Sequence, residues 1–260
     1  EGGFYSSIDA DSDTGEGQYY IWEKTEVEEN LSNEQYKVFS EYYGLNKRDN
    51  FEKKYHLYVS YNSKADFKSR KKNIDKKLLN ESIDILLKIR EKRKKPFTDE
   101  KILTSWNALT IKSLIDYCKI SQDMTYMVNS EKAINFLIEK MLFEDGLNAT
   151  YKDGKSHINA YSDDYAFLID AILNFLSTKW DNKLLKQAIL LSDLLIEKFL
   201  DNHDGGFFFT AKDHEDLIQK PKPTADEAFP SGNSIAAKVL IKLGFLMNNT
   251  QYLDSAYSVF

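Results

Sequence analysis

Two neighbouring carboxylate pairs, Asp163-Asp164 and Asp226-Glu227, are the residues of this chain best suited to acid/base chemistry. Cleaving a glycosidic bond needs two carboxyl groups about 5 to 9.5 Å apart, one protonated as the acid and one ionised as base or nucleophile. Each pair stands just before or at the start of an apolar helical segment, so separate helix N-termini can present them across a common pocket. Asp164 and Asp226 are the expected acid/base pair, with Asp163 and Glu227 as alternates. One of Asp163 and Asp164 also suits an N-cap, because a carboxylate there satisfies orphan amides and complements the helix dipole. Trp106, Asn107, Tyr165 and Asn233 are expected to position a ligand, an aromatic beside an amide matching a sugar's C–H face and its hydroxyls. Ser231-Gly232-Asn233-Ser234 reads in two ways. It is a capping motif with Gly232 permitting close packing, or a place where Gly232 lets a ligand reach the backbone. His157 and His214 are candidate proton carriers for an epimerase-like reaction, against the plainer reading of surface loop histidines.

Composition limits the alternatives. The chain has 260 residues, 42% hydrophobic and 13% aromatic, enough for a sizeable core. Its 35 Lys and Arg against 41 Asp and Glu leave a net charge of -6, which argues against a nucleic-acid or membrane-surface partner. The basic runs Lys68 to Lys77 and Arg90 to Lys95 read as solvated helix surface. A single cysteine, Cys118, excludes an internal disulfide and a thiolate zinc site within these residues, and no metal or other cofactor is expected. Asp9-x-Asp11-x-Asp13 has calcium-loop spacing, but Tyr20 stands where the loop's last ligand, a Glu, is required. No signal peptide or long apolar run is visible, so a cytoplasmic setting is the expectation. The chain begins at Glu1 without Met and stops at Phe260 within a helical pattern, and is expected to be a piece of a longer one.

The positioning elements follow from periodicity. Gly3 to Ile8, Gln18 to Trp22 and His56 to Tyr61 look strand-like, with short helices between them. Thr25 with Glu28 and Ser32 with Gln35 form capping-box patterns, and Gly44 closes the second helix. Ile74 to Lys94 reads as a long charged helix ended by Pro96. Leu103 to Ile120, Tyr165 to Leu176 and Ser234 to Met247 are apolar nearly all round. Ser130 to Leu142, Lys183 to Leu200 and Tyr252 to Phe260 are instead amphipathic. Buried helices begin near 103, 163 and 232, a spacing of about 60 to 70 residues. Helical repeat arrays recur at about 34 to 47 residues with tight turns at both ends. Here short connections leave each buried helix and long ones return to the next, which fits two concentric rings of helices. The expected fold is mainly all-α: a partial α/α toroid with short β-hairpin elements in its long loops. Residues 1–98 would supply a loop, hairpin and helical part, and 99–260 the regular inner and outer helix pairs of one continuous domain.

A set of motifs in order along nearly the whole chain adds a resemblance. It runs through Glu1-Gly2-Gly3-Phe4-Tyr5-Ser6, Asp9-Ala10-Asp11-Ser12, Glu41-Tyr42-Tyr43-Gly44 and Asn50-Phe51-Glu52. It continues in Leu103-Thr104-Ser105-Trp106-Asn107, Asp164-Tyr165-Ala166, Gly205-Gly206-Phe207 and Pro230-Ser231-Gly232-Asn233-Ser234. These residues resemble the thioredoxin-domain-containing proteins similar to spermatogenesis-associated protein 20. The resemblance implies a six-hairpin-glycosidase-like toroid of which this chain is a slice. It also implies an N-terminal thioredoxin-like domain of the full-length chain as a partner. Two departures stand out: Ala108 replaces a usual Gly after Trp-Asn, and Ser162-Asp163 replaces Leu-Glu before the Asp-Tyr-Ala motif. The leading expectation is a sugar-active or sugar-binding domain, glycoside hydrolase-like or sugar epimerase-like, taking a small-molecule carbohydrate. The alternative is a non-catalytic scaffold or quality-control module working with the thioredoxin-like domain. A metal-dependent toroid is disfavoured, since Cys118 and one Asp pair supply neither a zinc set nor a diphosphate clamp.

Overall fold

The computed structural model describes residues 2–12, 15–59, 74–213 and 219–260. Glu1, Asp13, Tyr61, Lys68 and His214, all singled out above, lie outside the described residues. Two compact units emerge, Ser7–Asp99 and a second made of Glu1–Ser6 with Glu100–Phe260.

In the smaller unit, β1 (Ser7–Ile8) pairs antiparallel with β4 (Thr98–Asp99), and β2 (Asp11–Ser12) with β3 (Gly15–Glu16). Its helices are α1 (Lys24–Asn30), α2 (Asn33–Tyr43) and α3 (Lys76–Glu91). The Ser32–Gln35 capping box forms and Gly44 closes α2 at φ 74°, as the sequence pattern requires. The Thr25–Glu28 box does not form, because α1 begins at Lys24 behind Glu23, which makes no side-chain cap. Gln18 to Trp22 is mostly turn, with a single bridge from Trp22 to Tyr55. Trp22, Val27, Phe39, Leu45, Leu79 and Leu86 make the core of this unit. Arg93 ties it together: it grips both Glu26 oxygens at 2.8 Å, donates to the Tyr19 and Ile21 carbonyls, and lies 4.2 Å over the Trp22 ring.

The larger unit contains three helical hairpins. They are α4 (Thr104–Ser121) with α5 (Met124–Met141), α6 (Ser162–Leu176) with α7 (Asn182–Phe199), and α8 (Gly232–Met247) with α9 (Thr250–Tyr257). Each hairpin packs internally, and α6 packs against both α4 and α8. The first member of each pair is therefore an inner helix and the second an outer one. Asp123, Asp181 and Asn249 cap the outer helices, each accepting from amides of the first turn, so the tight turns are set by local chemistry. The first long connection holds β6 (Leu142–Phe143), β7 (Gly146–Lys152) and β8 (Lys155–Asn159), and β5 (Ile102–Leu103), just before α4, joins them in one small antiparallel sheet built on β7. Asp153 and Gly154, both at positive φ, make the β7–β8 turn, the backbone twist a two-residue hairpin needs.

The expectation that all three inner helices are buried all round holds only for α6. Along it only Asp163, Leu173 and Asn174 keep partial exposure. On α4, Trp106 is 47% and Ile120 83% exposed; on α8, Phe245 is 69% exposed. The reason is packing: α6 has an inner neighbour on both sides, whereas α4 and α8 meet α6 on one side.

A repeated backbone clamp explains why glycine-aromatic turns recur before the inner helices. The Asn107 carboxamide oxygen accepts from Phe4 N at 2.7 Å, and its nitrogen donates to Phe4 O at 3.0 Å and Leu103 O at 2.9 Å. Asn233 repeats this on Phe207, accepting from N at 2.7 Å and donating to O at 2.9 Å. Asn233 also donates to Pro223 O at 3.0 Å. In the middle unit the Tyr165 hydroxyl accepts from Leu147 N at 2.9 Å. Gly205 and Gly206, at φ 73° and 71°, bend the chain into the third clamp, and a side chain on Gly205 would strike the Ser258 backbone. The clamps satisfy buried backbone groups of the loops. Asn233→Ala, which orphans the amide and carbonyl of Phe207 while Pro223 O keeps the Ser231 hydroxyl, is expected to lower stability by about 3 kcal/mol. Urea unfolding reads the change, and an unaltered midpoint would show the clamp to be idle.

Candidate functional site

The N-terminus of α6 is where the acidic residues converge. Asp164, 4% exposed, is bound at both oxygens: Oδ2 accepts from Tyr161 N and Oδ1 from Ser105 N, each at 2.9 Å. Ser105 lies in the first turn of α4, whose own N-cap, Leu103, has no capping side chain. One carboxylate thus caps two adjacent inner helices. Burial pushes the Asp164 carboxyl up to about 6, against the two amide donors that favour its anion.

Asp163 stands in a different environment. Its Oδ1 is buried and accepts no hydrogen bond. Burial raises this carboxyl too, to about 6, with Ser162 opposing. A protonated carboxyl suits such a place better than an anion, because an ionised oxygen without a donor costs more than a neutral one. Across from it Gly232 opens α8, and a Cβ there would collide with Asp163 Oδ1. The glycine's task is therefore to admit the carboxyl of the neighbouring inner helix.

Asp163 lines a cleft of about 500 Å³ together with Phe209, Lys222, Glu227, Phe229 and Gly232. The Phe209 ring stacks on Tyr161 at 4.6 Å, and Phe229 meets Phe167 edge-on at 6.1 Å. Lys222, held 2.7 Å from Asp201 and donating to Gly205 O at 3.1 Å, contributes a fixed positive charge. The lining thus combines two aromatic rings with a partly buried carboxyl, an exposed carboxyl, an ammonium and the hydroxyl residues Thr224 and Ser231.

The sequence-derived site divides on this geometry. Asp163, Glu227, Ser231 and Gly232 come together in the cleft lining. Asp226 does not line it; its Oδ1 accepts from Ser231 N at 2.8 Å and caps α8. Ser231 Oγ donates to Pro223 O at 3.1 Å, pinning the loop. Asn107 and Asn233, expected on a ligand, spend both their polar ends on backbone and are 2% exposed. Tyr165 is likewise committed to Leu147, its hydroxyl pushed up to about 12 by burial. It borders a separate cavity of about 130 Å³ with Asp145, Lys198 and Asp213. His157 is exposed on β8 opposite Thr150, and Trp106 is half-exposed on α4; neither lines the cleft. The sequence reading missed Phe209, Lys222 and Phe229. Phe229, directly before Pro230 in the acidic loop, was the legible one. Lys222, between Pro221 and Pro223, sits on a stretch whose backbone is restrained, but nothing local marks its direction.

No protein-family model matches the chain. An uncharacterized protein of Caenorhabditis elegans is 28% identical over all of this chain and 40% of its own length. Spermatogenesis-associated protein 20 of Homo sapiens is 25% identical over 97% of this chain and 37% of its own. The chain is similar to spermatogenesis-associated protein 20 over nearly all of its length. It spans about two fifths of the length of these curated relatives. Among solved structures, a family 76 α-mannanase from Bacteroides thetaiotaomicron matches with a TM-score of 0.51 and 17% identity, over 64% of this chain and 46% of that one. Cellobiose 2-epimerase from Bacillus thermoamylovorans matches at 0.52 and 12% identity, over 71% and 54%. A family 105 glycoside hydrolase from C. acetobutylicum matches at 0.52 and 13% identity, over 74% and 59%. The hairpins of the larger unit therefore have the fold of a partial, mainly α-helical toroid of the six-hairpin glycosidase type. Among the described residues, no helix is long and apolar enough to cross a membrane.

Two outcomes are expected from the Asp163 environment. Gly232→Ala should destabilise the protein and Asp163→Ala should relieve most of that loss, a non-additivity that a double-mutant cycle of unfolding free energies reads directly. Asp163 and Asp164 both bind their proton more tightly folded than unfolded. Their stabilising contribution is full below the ordinary value of 3.8 and is lost as pH rises through about 6. Asp163→Asn should therefore gain on the parent protein between pH 4 and 7 in thermal melts, and parallel curves would contradict the raised carboxyl.

Proposed function

We propose that the cleft at the N-termini of α6 and α8 binds a carbohydrate and acts on it, with Asp163 as the general acid. The observation that carries this reading is the Asp163 carboxyl itself, raised to about 6 by burial on a residue that lines a cleft with Phe209 and Phe229. A carboxyl poised near neutral pH can donate a proton to a leaving oxygen and take it back. Glu227, exposed in the same lining, is the second carboxylate that hydrolysis requires. Phe209 and Phe229 offer faces for the apolar side of a sugar ring, and Lys222 a donor for its hydroxyls. The relatives named for carbohydrate chemistry, an α-mannanase and a cellobiose 2-epimerase, share this fold, which supports the substrate class. Asp164, first expected to share the acid/base work with Asp226, is here a structural carboxylate.

A second reading, the non-catalytic scaffold, draws support from the same clamps, since Asn107, Asp164 and Asn233 serve the backbone alone. One pair of variants separates the two. Asp163→Asn is expected to keep the fold and lose at least about a hundredfold in turnover of mono- or disaccharides. Asp164→Asn is expected to lose thermal stability first, because it replaces one amide acceptor by a donor. A full-length protein that neither shifts its melting temperature with any neutral saccharide nor turns one over would leave the scaffold reading standing.

A further inference from the structure

The inner helices carry a second polar feature that the cleft does not use. Each presents an i, i+4 pair on one face: Lys112 and Asp116 on α4, Asp170 and Asn174 on α6, Lys238 and Lys242 on α8. On α4 two lysines also face one carboxylate, Lys112 lying 2.9 Å and Lys119 3.8 Å from Asp116, but Lys119 spends its donors on Asn174 Oδ1 at 2.6 Å and Ser177 Oγ at 3.0 Å. On the α8 side the second lysine has no such acceptors among the described residues. Asp170, 3% exposed, takes one hydrogen bond from Lys238 at 2.7 Å, while Lys242 stands 3.7 Å from its other oxygen. That oxygen accepts no hydrogen bond. Two ammonium groups thus face one carboxylate, and both keep solvent access, at 39% and 50% side-chain exposure.

Neutralising Asp170 needs one lysine, as Asp201 needs only Lys222. The second leaves a full positive charge uncompensated, on a chain whose net charge is -6. Lys242 is held below the ordinary lysine range by burial and by repulsion from Lys238 and Lys112, despite the attraction of Asp170. A second anion is what this arrangement lacks.

We propose that Lys238 and Lys242, set around Asp170, form an oxyanion site for the carboxylate or phosphate group of a small molecule. The spare N–H groups of the two lysines are its donors, and their exposure lets an anion enter without displacing protein. Asp170 keeps both ammonium groups in place before the anion arrives. Asp163 and Asp170 are seven residues apart on one helix, so the site lies about 10 Å along α6 from the cleft. The Phe167–Phe229 pair stands at the level between them. The inference does not rest on the carbohydrate reading.

Calorimetric titration of the full chain with inorganic phosphate and with D-glucuronate, at fixed ionic strength, tests it, and the two arms tell a phosphate site from a carboxylate site. One saturable site for at least one of them is expected, weakened about tenfold in Lys242→Gln, which removes a charge-assisted donor from an exposed side chain. Asp170→Asn, where folded, should tighten the same site by removing the competing carboxylate. Absence of saturable binding in both arms, or an unchanged affinity in Lys242→Gln, overturns the proposal and leaves the stripe as an inter-helix ion pair.

Discussion

Everything in the larger unit depends on how the inner-helix N-termini and the loops above them satisfy their backbone polar groups. An inner helix is buried on most sides, so water cannot reach its first orphan amides or the carbonyls of the loop that returns to it. Each unpaired group costs about 1–3 kcal/mol, comparable to what a buried Leu or Ile contributes. The chain meets this constraint with side chains from the inner helices. Asn107 and Asn233 each bind both backbone groups of a clamped phenylalanine, and Asp164 caps two helices with one carboxylate.

Asp163 is left out of the capping because of that arrangement. With Asp164 occupied in capping, its neighbour is left beside the cleft, partly buried, with an oxygen that no donor reaches. Gly232 is the complement: its missing side chain gives the carboxyl room between two helix N-termini. Adjacent aspartates thus have opposite tasks, decided by which one faces the previous helix.

The same logic governs the lower part of the inner face. Asp170 is buried by the packing of α6 between α4 and α8, and α8 answers with two lysines. A carboxylate buried in mid-helix has no free amides within reach, unlike Asp164 at the N-terminus, so its counter-charge comes from a neighbour. On α8 the reply exceeds what Asp170 requires.

The sequence by itself determined the hairpin plan, because burial period and loop length are local properties of the chain. The alternation of inner and outer helices, the short and long connections, and the Ser32–Gln35 cap were all legible. So was the region of the site, since Asp163, Glu227 and Gly232 lie in segments whose acidic character stands out. Tertiary structure alone decided which polar residue faces a cleft and which faces a backbone. Asn233 and Asp163 look equally suited to a ligand in sequence, yet one is spent on Phe207 and the other is not. That choice depends on residues 26 to 69 positions distant, for Asn233 to Phe207 and for Asp163 to Gly232, and no local pattern encodes it. It also left α4 and α8 half-open, because burial of a helix face depends on what packs against it as much as on its own residues.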